Sequence, residues 1–248
     1  MLIRSAQDTP FLTAEWRALV MLNYEIDPGY LLPLAPKGTE LDSWSGKHFV
    51  SVVGFLFLNT RVLGLAMPFH RNFEEINLRF YVKREAEGGR RRGVAFIKEI
   101  VPRAAVALAA RWLYNENYVA LPTWHAIRRE PNAAGKGESV AYGWTLGDRA
   151  QRVEISTLGE AQPLRQGSEE EFIAERYWGY SWQKDGGTVE YRVDHPPWLV
   201  RRAQSCRLQC DAERLYGRPF ADALRGEPSF AFLAEGSEVA VFRRRRIA

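Results

Sequence analysis

Hydrophobic and polar positions alternate most strictly between Glu75 and Val82. Ile76, Leu78, Phe80 and Val82 form one set; Glu75, Asn77, Arg79 and Tyr81 form the other. A period of two puts the sets on opposite faces of a strand. One face is wholly apolar. The other carries an acid, an amide, a guanidinium and a phenol. That second face either meets water or lines a polar cavity inside a closed sheet. The choice decides whether this stretch has chemistry.

The same reading gives strands along most of the chain. Thr13 is a fair N-cap for a short helix over 13–16. A buried strand, Ala18–Ile26, follows and stops at Asp27-Pro28-Gly29. Tyr30–Pro36 reads as a helical turn or loop whose leucines plug one end of the core. Lys47–Val62 is a long strand, and Gly54 within it predicts a bend or bulge. Arg84–Arg92, with Gly88-Gly89, is a charged turn, so 75–82 and 94–101 make an antiparallel hairpin. In its second strand Val94, Phe96, Lys98 and Ile100 share one face; Ala95, Ile97, Glu99 and Val101 share the other. Pro102–Tyr114 is the clearest helix, rich in alanine and apolar nearly all round, which predicts burial against the sheet.

His125–Glu130, Ser139–Leu146 and Arg152–Thr157 read as a three-strand meander. Ser168–Glu171 opens a short helix with an acidic first turn. Glu175–Lys184 and Thr188–His195 form a hairpin around Asp185-Gly186-Gly187, with Trp178, Tyr180 and Trp182 on one side. Arg201–Cys210 is a strand, Glu213–Leu224 holds one or two helical turns, and two last strands within Phe230–Phe242 turn at Glu235-Gly236-Ser237. No linker or repeat divides the chain. The pattern predicts one domain over residues 1–248. Its class is mainly β (α+β), with one buried helix and short peripheral helices.

Composition narrows the function classes. Hydrophobic residues make up 46% of 248, enough for a large core. A net charge of +4 is too mild to mark a nucleic-acid binder. Cys206 and Cys210, four apart on one strand face, stand too far apart for an easy disulfide and read as reduced thiols. Met1–Ser5 lacks the layout of a signal peptide. Phe49–Leu58 is too short an apolar run to cross a bilayer. The expectation is a cytoplasmic protein without membrane or nucleic-acid partners.

The histidines, His48, His70, His125 and His195, form no ligand-spaced pair, and HExxH and CxxC are absent, so neither metal nor cofactor is expected. GxSxG, P-loop and GxGxxG patterns are absent as well. Glu75, Asn77 and Arg79 are the sharpest candidates, with Tyr81 on their face and His70 just before the strand. In a closed barrel the apolar face would pack outward on helix 102–114 and the polar face would line the interior. A carboxylate and a guanidinium there can bind a small polar ligand and shift each other's pKa. A buried lysine can form a Schiff base with a ketone. Lys98, beside Val94, Phe96 and Ile100, reads instead as a stem on apolar surface with its ammonium in water. Arg243–Arg246 reads as a solvated end or a contact for an acidic partner.

Several stretches carry a family resemblance: Leu22-Asn23-Tyr24-Glu25, Ser51-Val52-Val53-Gly54-Phe55, the run His70 to Arg79, Glu175 to Tyr180, and Val193 to Trp198. Together they resemble the YqjF-like family of uncharacterised bacterial proteins, across essentially the whole chain. The resemblance implies the acetoacetate decarboxylase-like fold, an antiparallel barrel with an internal cavity, and Glu75 as its cavity acid. The decarboxylase places its Schiff-base lysine in a Gly-Phe-Pro-Lys-Lys-like segment after a helix. The comparable Tyr114-Asn115-Glu116-Asn117-Tyr118 has no lysine, so Schiff-base decarboxylation is not implied.

The resulting expectation is a barrel that binds a small organic carboxylate or carbonyl molecule through Glu75, Asn77, Arg79, His70 and Tyr81. One alternative is a non-Schiff-base enzyme of lyase or hydrolase type, with Glu75 as acid or base and Arg79 as carboxylate anchor. Another is a structural or interaction module using Trp178, Tyr180, Trp182 and the terminal arginines. The many aromatic strand faces suggest a homodimer.

Overall fold

The computed structural model describes residues 9–66, 70–102, 117–132 and 135–248. The described strands begin with β1 (Leu12–Glu25), β2 (Glu40–Leu41), β3 (Phe49–Val62), β4 (Leu65–Ala66), β5 (Phe73–Ala86), β6 (Gly89–Val101), β7 (Tyr118–Ala120) and β8 (Thr123–Asn132). They continue with β9 (Gly135–Leu146), β10 (Arg149–Thr157), β11 (Gln162–Pro163), β12 (Trp178–Trp182), β13 (Thr188–Asp194), β14 (Leu199–Gln209), β15 (Phe230–Val241) and β16 (Arg245–Arg246). Between them lie α1 (Pro28–Leu31), α2 (Glu169–Ala174), α3 (Ala212–Tyr216) and α4 (Arg218–Ala223).

Hydrogen-bonded neighbours run β13-β12-β6-β5-β3-β1-β15, and β15 also pairs with β13, so the path closes on itself. The closing contact is short: Val193↔Val241 and Asp194↔Ala240. The sheet is not purely antiparallel as the sequence predicts. β12 and β7 both join β6 in parallel. Gly93 permits the first of these joints, because a Cβ there would stand 2.4 Å from the Trp178 carbonyl oxygen. From β15 the sheet continues through β14 into the meander β10-β9-β8.

The sheet buries both faces. On one, Ile76, Leu78, Phe80 and Val82 pack with Tyr142 and Trp144 of the meander and with Leu215 and Phe220 of α3 and α4. On the other, Met21, Val53, Phe55 and Val94 pack with Phe172 and Ile173 of α2 and with Trp198. The apolar face of 75–82 is thus covered as expected, but by the meander and the small helices. The predicted helix 102–114 lies, beyond Pro102, outside the described residues.

Three local expectations are corrected. Residues 13–16 are strand, not helix, because β1 is flanked on both sides by β3 and β15. Ladder bonds on two edges, with Trp16 packed on Phe55 and Phe57, override a weak capping preference. The turn at 235–237 does not form; β15 runs straight through it. Gly236 takes φ +79° and lets Trp16 O come within 1.9 Å of where a Cβ would sit. Of the leucines at 31–34, only Leu31 is buried. Cys206 and Cys210 are free thiols. Among the described residues no helix is long and apolar enough to cross a membrane.

The predicted irregularity at Gly54 sits one strand away. Gly54 pairs regularly with Ile76, while β1 carries the register shift between Arg17 and Val20, with Ala18 at φ +53°. Tyr142 of β9 explains the glycine. Its hydroxyl donates to Ala18 O at 2.9 Å, and its ring occupies the space above Gly54. A Cβ at Gly54 would stand 2.7 Å from that ring. We expect Gly54→Ala to destabilise the fold by about 1–3 kcal/mol through overpacking, read as a lower denaturant midpoint.

Candidate functional site

The alternation of β5 delivers Glu75, Asn77, Arg79 and Tyr81 to the face that α2 covers, and all four are buried, 1% to 8% exposed. Cross-strand pairing sets their neighbours. One row reads Phe230, Asn23, Ser51, Arg79, Phe96. The next reads Phe232, Met21, Val53, Asn77, Glu99, Tyr118. Polar groups therefore gather where β3, β5 and β6 meet, inside an aromatic surround.

A bulge in β6 completes this arrangement. Leu78 pairs with Lys98 but Arg79 pairs with Phe96, leaving Ile97 as the extra residue. Strict alternation fails there. Val94 and Phe96 share the polar face with Glu99 and Val101, while Ala95, Ile97 and Ile100 pack on the opposite face. Lys98 also falls on that opposite face, where its ammonium donates to the Leu215 carbonyl of α3. Its stem is half-buried and its head is bonded to backbone rather than free in water. Lys98 is thus held away from Glu75.

The hydrogen bonds fall into two groups. Ser51 Oγ lies 2.5 Å from both Asn23 Oδ1 and Tyr81 Oη, and Asn23 Nδ2 donates to Phe230 O at 3.2 Å. This chain uses Tyr81 to fix the sheet. The second group surrounds Glu75: Asn77 Nδ2 donates to its Oε1 at 3.0 Å and Tyr118 Oη to its Oε2 at 3.4 Å. Burial raises the Glu75 pKa to about 7, against the opposing pull of Asn77, Tyr118 and the Arg79 charge.

Arg79 is the least satisfied of the four. One of its terminal nitrogens donates to Ile173 O at 3.4 Å and approaches Met21 Sδ at 4.0 Å. Its Nε and the Asn77 Oδ1 have no hydrogen-bond partner among the described residues. No carboxylate lies within ion-pair distance of Arg79 among the described residues. The nearby Asp42 instead holds Arg176 at 2.6 Å and Arg92 at 2.9 Å. Burial opposes ionisation of Asp42, but the two guanidiniums outweigh it and hold its carboxyl below the usual range.

His70 lies in the loop ahead of β5 rather than on the strand face that carries the other candidates. His125 bonds Glu74 Oε1 at 2.6 Å on the side away from Glu75. Sequence reasoning missed Asn23, Ser51 and Tyr118, whose relevance depends on strand register. It also missed His195, whose ring is stacked between Tyr177 and Trp198 with centroids 4.7 and 4.3 Å away. Burial, aided by the charge of Arg79, holds its pKa below the ordinary histidine value. The aromatic stripe at 178–182 is not an open patch: Tyr180 is buried, Arg91 covers Trp178, and the exposed Trp182 bonds Leu34 O. Among the described residues no group of three or more His, Cys, Asp or Glu is placed to hold a metal ion.

The profile of DUF2071, an uncharacterized conserved protein family, matches residues 13–238. The chain belongs to the DUF2071 family. A relative in that company is the uncharacterized protein YqjF of Bacillus subtilis (strain 168), 25% identical over 198 residues, 77% of this chain and 75% of the relative. The DUF2071 chain also superposes on solved structures. Acetoacetate decarboxylase from Legionella pneumophila matches with a TM-score of 0.62 at 11% identity, covering 100% of this chain and 91% of that one. The enduracididine biosynthesis enzyme MppR complexed with pyruvate matches with a TM-score of 0.64 at 15% identity, covering 97% and 91%. At these identities the likeness is one of fold: acetoacetate decarboxylase-like and mainly β.

The Glu75 environment has a measurable consequence. An acid whose folded pKa is raised stabilises the fold below its unfolded pKa, and the contribution is lost as pH rises through the folded value. For Glu75 the window runs from 4.5 to about 7. We expect stability to fall by about 3 kcal/mol across that window in the wild type. Glu75→Gln should flatten this part of the profile in denaturant titrations at successive pH values.

Proposed function

We propose that this protein is a single-domain barrel that holds a small organic carboxylate or carbonyl compound against Glu75, Asn77 and Arg79. The closed path of strand pairings supports the barrel, with the polar face of β5 turned inward. One observation carries the ligand class. Arg79 is a buried cation whose hydrogen-bond partners among the described residues are a carbonyl and a thioether, with the Tyr81 ring centre 5.7 Å away and no anion in ion-pair distance. Burying a guanidinium without an anion is costly, and a ligand carboxylate would supply one through charge-assisted hydrogen bonds. Glu75, neutral through part of the physiological range, can donate to a ligand carbonyl that Arg79 has oriented.

Pyruvate is the natural probe, because it joins a carboxylate to a ketone and MppR was solved with it. Calorimetric titration should show pyruvate binding to the wild type. Arg79→Met, similar in length and uncharged, should weaken it by about tenfold or more. Undiminished binding to that variant, or no binding of pyruvate or longer 2-oxo acids, removes this reading.

The raised pKa of Glu75 favours a second reading, acid–base chemistry beside the bound carbonyl. The carboxylate would take a proton from the carbon next to the ketone and return it. Lys98, on the other face of the sheet, has no part in such a step. In deuterium oxide, pyruvate methyl protons should exchange faster with the wild type than with Glu75→Gln, followed by proton NMR. Equal exchange rates would leave binding alone.

A further inference from the structure

A second concentration of charge lies at the other end of β5. Glu190 of β13 is fully buried, with 0% of its side chain exposed, and it receives three guanidiniums from three strands. Arg84 of β5 reaches its Oε2 at 3.2 Å; Arg91 of β6 and Arg245 of β16 both reach Oε1 at 2.5 Å. Arg84 and Arg91 are direct cross-strand partners. Two like charges so placed repel each other, and a single carboxylate leaves the trio with an excess of two positive charges.

These arginines are held in place. The Arg91 guanidinium lies 4.1 Å from the centre of the Trp178 ring, a cation–π contact that fixes its plane. Arg84 and Arg91 are largely shielded from water, which strengthens their field. Arg245 is drawn in by the pairing of β16 with β13. The three line a concavity of about 560 Å3 together with Arg246, Glu87 and Ile247. Each guanidinium has more N–H donors than the one it gives to Glu190.

This concavity is separate from the Glu75 face. Along β5, Arg84 falls in the set with Ile76, Leu78, Phe80 and Val82, opposite Arg79. It also lies about 16 Å further along the strand. The C-terminal arginines are all exposed, as a solvated end would be, yet two of them are anchored: Arg245 to Glu190 and Arg246 to Asp185 at 2.5 Å.

We propose that this concavity is an anion site for a small phosphate-bearing molecule, its phosphoryl group seated against Arg84, Arg91 and Arg245. The positive excess of the trio over Glu190, only partly offset by Glu87 on the lining, matches a dianion better than a single carboxylate. Planar guanidinium forks suit phosphate oxygens. Glu87 on the lining and Asp185 beside Arg246 interrupt the positive surface, which disfavours a long polyanion such as nucleic acid. A concavity of this volume suits one small molecule.

Inorganic pyrophosphate is the probe, titrated calorimetrically into the full chain at fixed ionic strength, with acetate as the monovalent control. Pyrophosphate should bind at least tenfold more tightly than acetate. The double variant R84Q/R91Q should weaken it by tenfold or more. R245Q, at the exposed end of β16, tests the same contact if the double variant fails to fold. E190Q should tighten binding, because it removes the competing carboxylate. R79M should leave it unchanged, so this site and the Glu75 face stand or fall separately. Equal affinity for acetate and pyrophosphate would overturn the proposal, as would arginine variants that change stability but not binding. Binding to vesicles containing phosphatidic acid without binding of free pyrophosphate would overturn the assignment to a small molecule.

Discussion

A sheet that curls round must find a hydrogen-bond partner for its last edge, or leave that edge open to other chains. Here the partner is supplied by two residue pairs, Val193↔Val241 and Asp194↔Ala240. Side chains on the face that α2 covers are withdrawn from bulk water and must satisfy one another. Asn23, Ser51 and Tyr81 do so in a short relay. Glu75 does so only in part, and Arg79 hardly at all. Burial on this face thus separates polar groups that complete a hydrogen-bond network from polar groups whose hydrogen bonding is incomplete.

The covering of the opposite face has a different logic. Meander and helices lie over β1, β3 and β5 and provide an apolar layer. Tyr142 links the layers most closely. It fills the space that Gly54 leaves empty and satisfies a carbonyl that the β1 irregularity frees from the ladder. Packing and hydrogen bonding therefore meet in one side chain, and the irregular segment of β1 is held from outside the closed path.

Much of this was legible in the sequence because alternation is a local signal. The run Glu75 to Val82 states its own two faces, and the hairpin with residues 94–101 follows from spacing. Burial of the polar face was a harder inference, since alternation alone describes a wet sheet equally well. Other features were not legible because they are decided by partners far along the chain. Thr13–Trp16 has a fair helix start, but β3 and β15 claim its backbone. Glu235-Gly236-Ser237 looks like a turn, yet its glycine serves close approach to Trp16. Asn23 and Ser51 look like ordinary strand residues until register sets them beside Tyr81 and Arg79. The arginine cluster on Glu190 is assembled from residues more than one hundred and fifty positions apart, which no local pattern announces.

The extra residue in β6 decides which ionisable side chain joins the polar wall. Ile97 takes up one position without a partner, and the phase of the strand changes across it. Lys98 is thereby kept beside α3 while Glu99 is kept beside Asn77. Were the ladder to close over Ile97 and slip by one residue, Lys98 would turn in and Glu99 would turn out. An acid on the polar wall would be exchanged for an amine with no change of sequence. Which of the two stands beside Asn77 is therefore held by a single isoleucine left out of the β5 register, through geometry rather than chemistry.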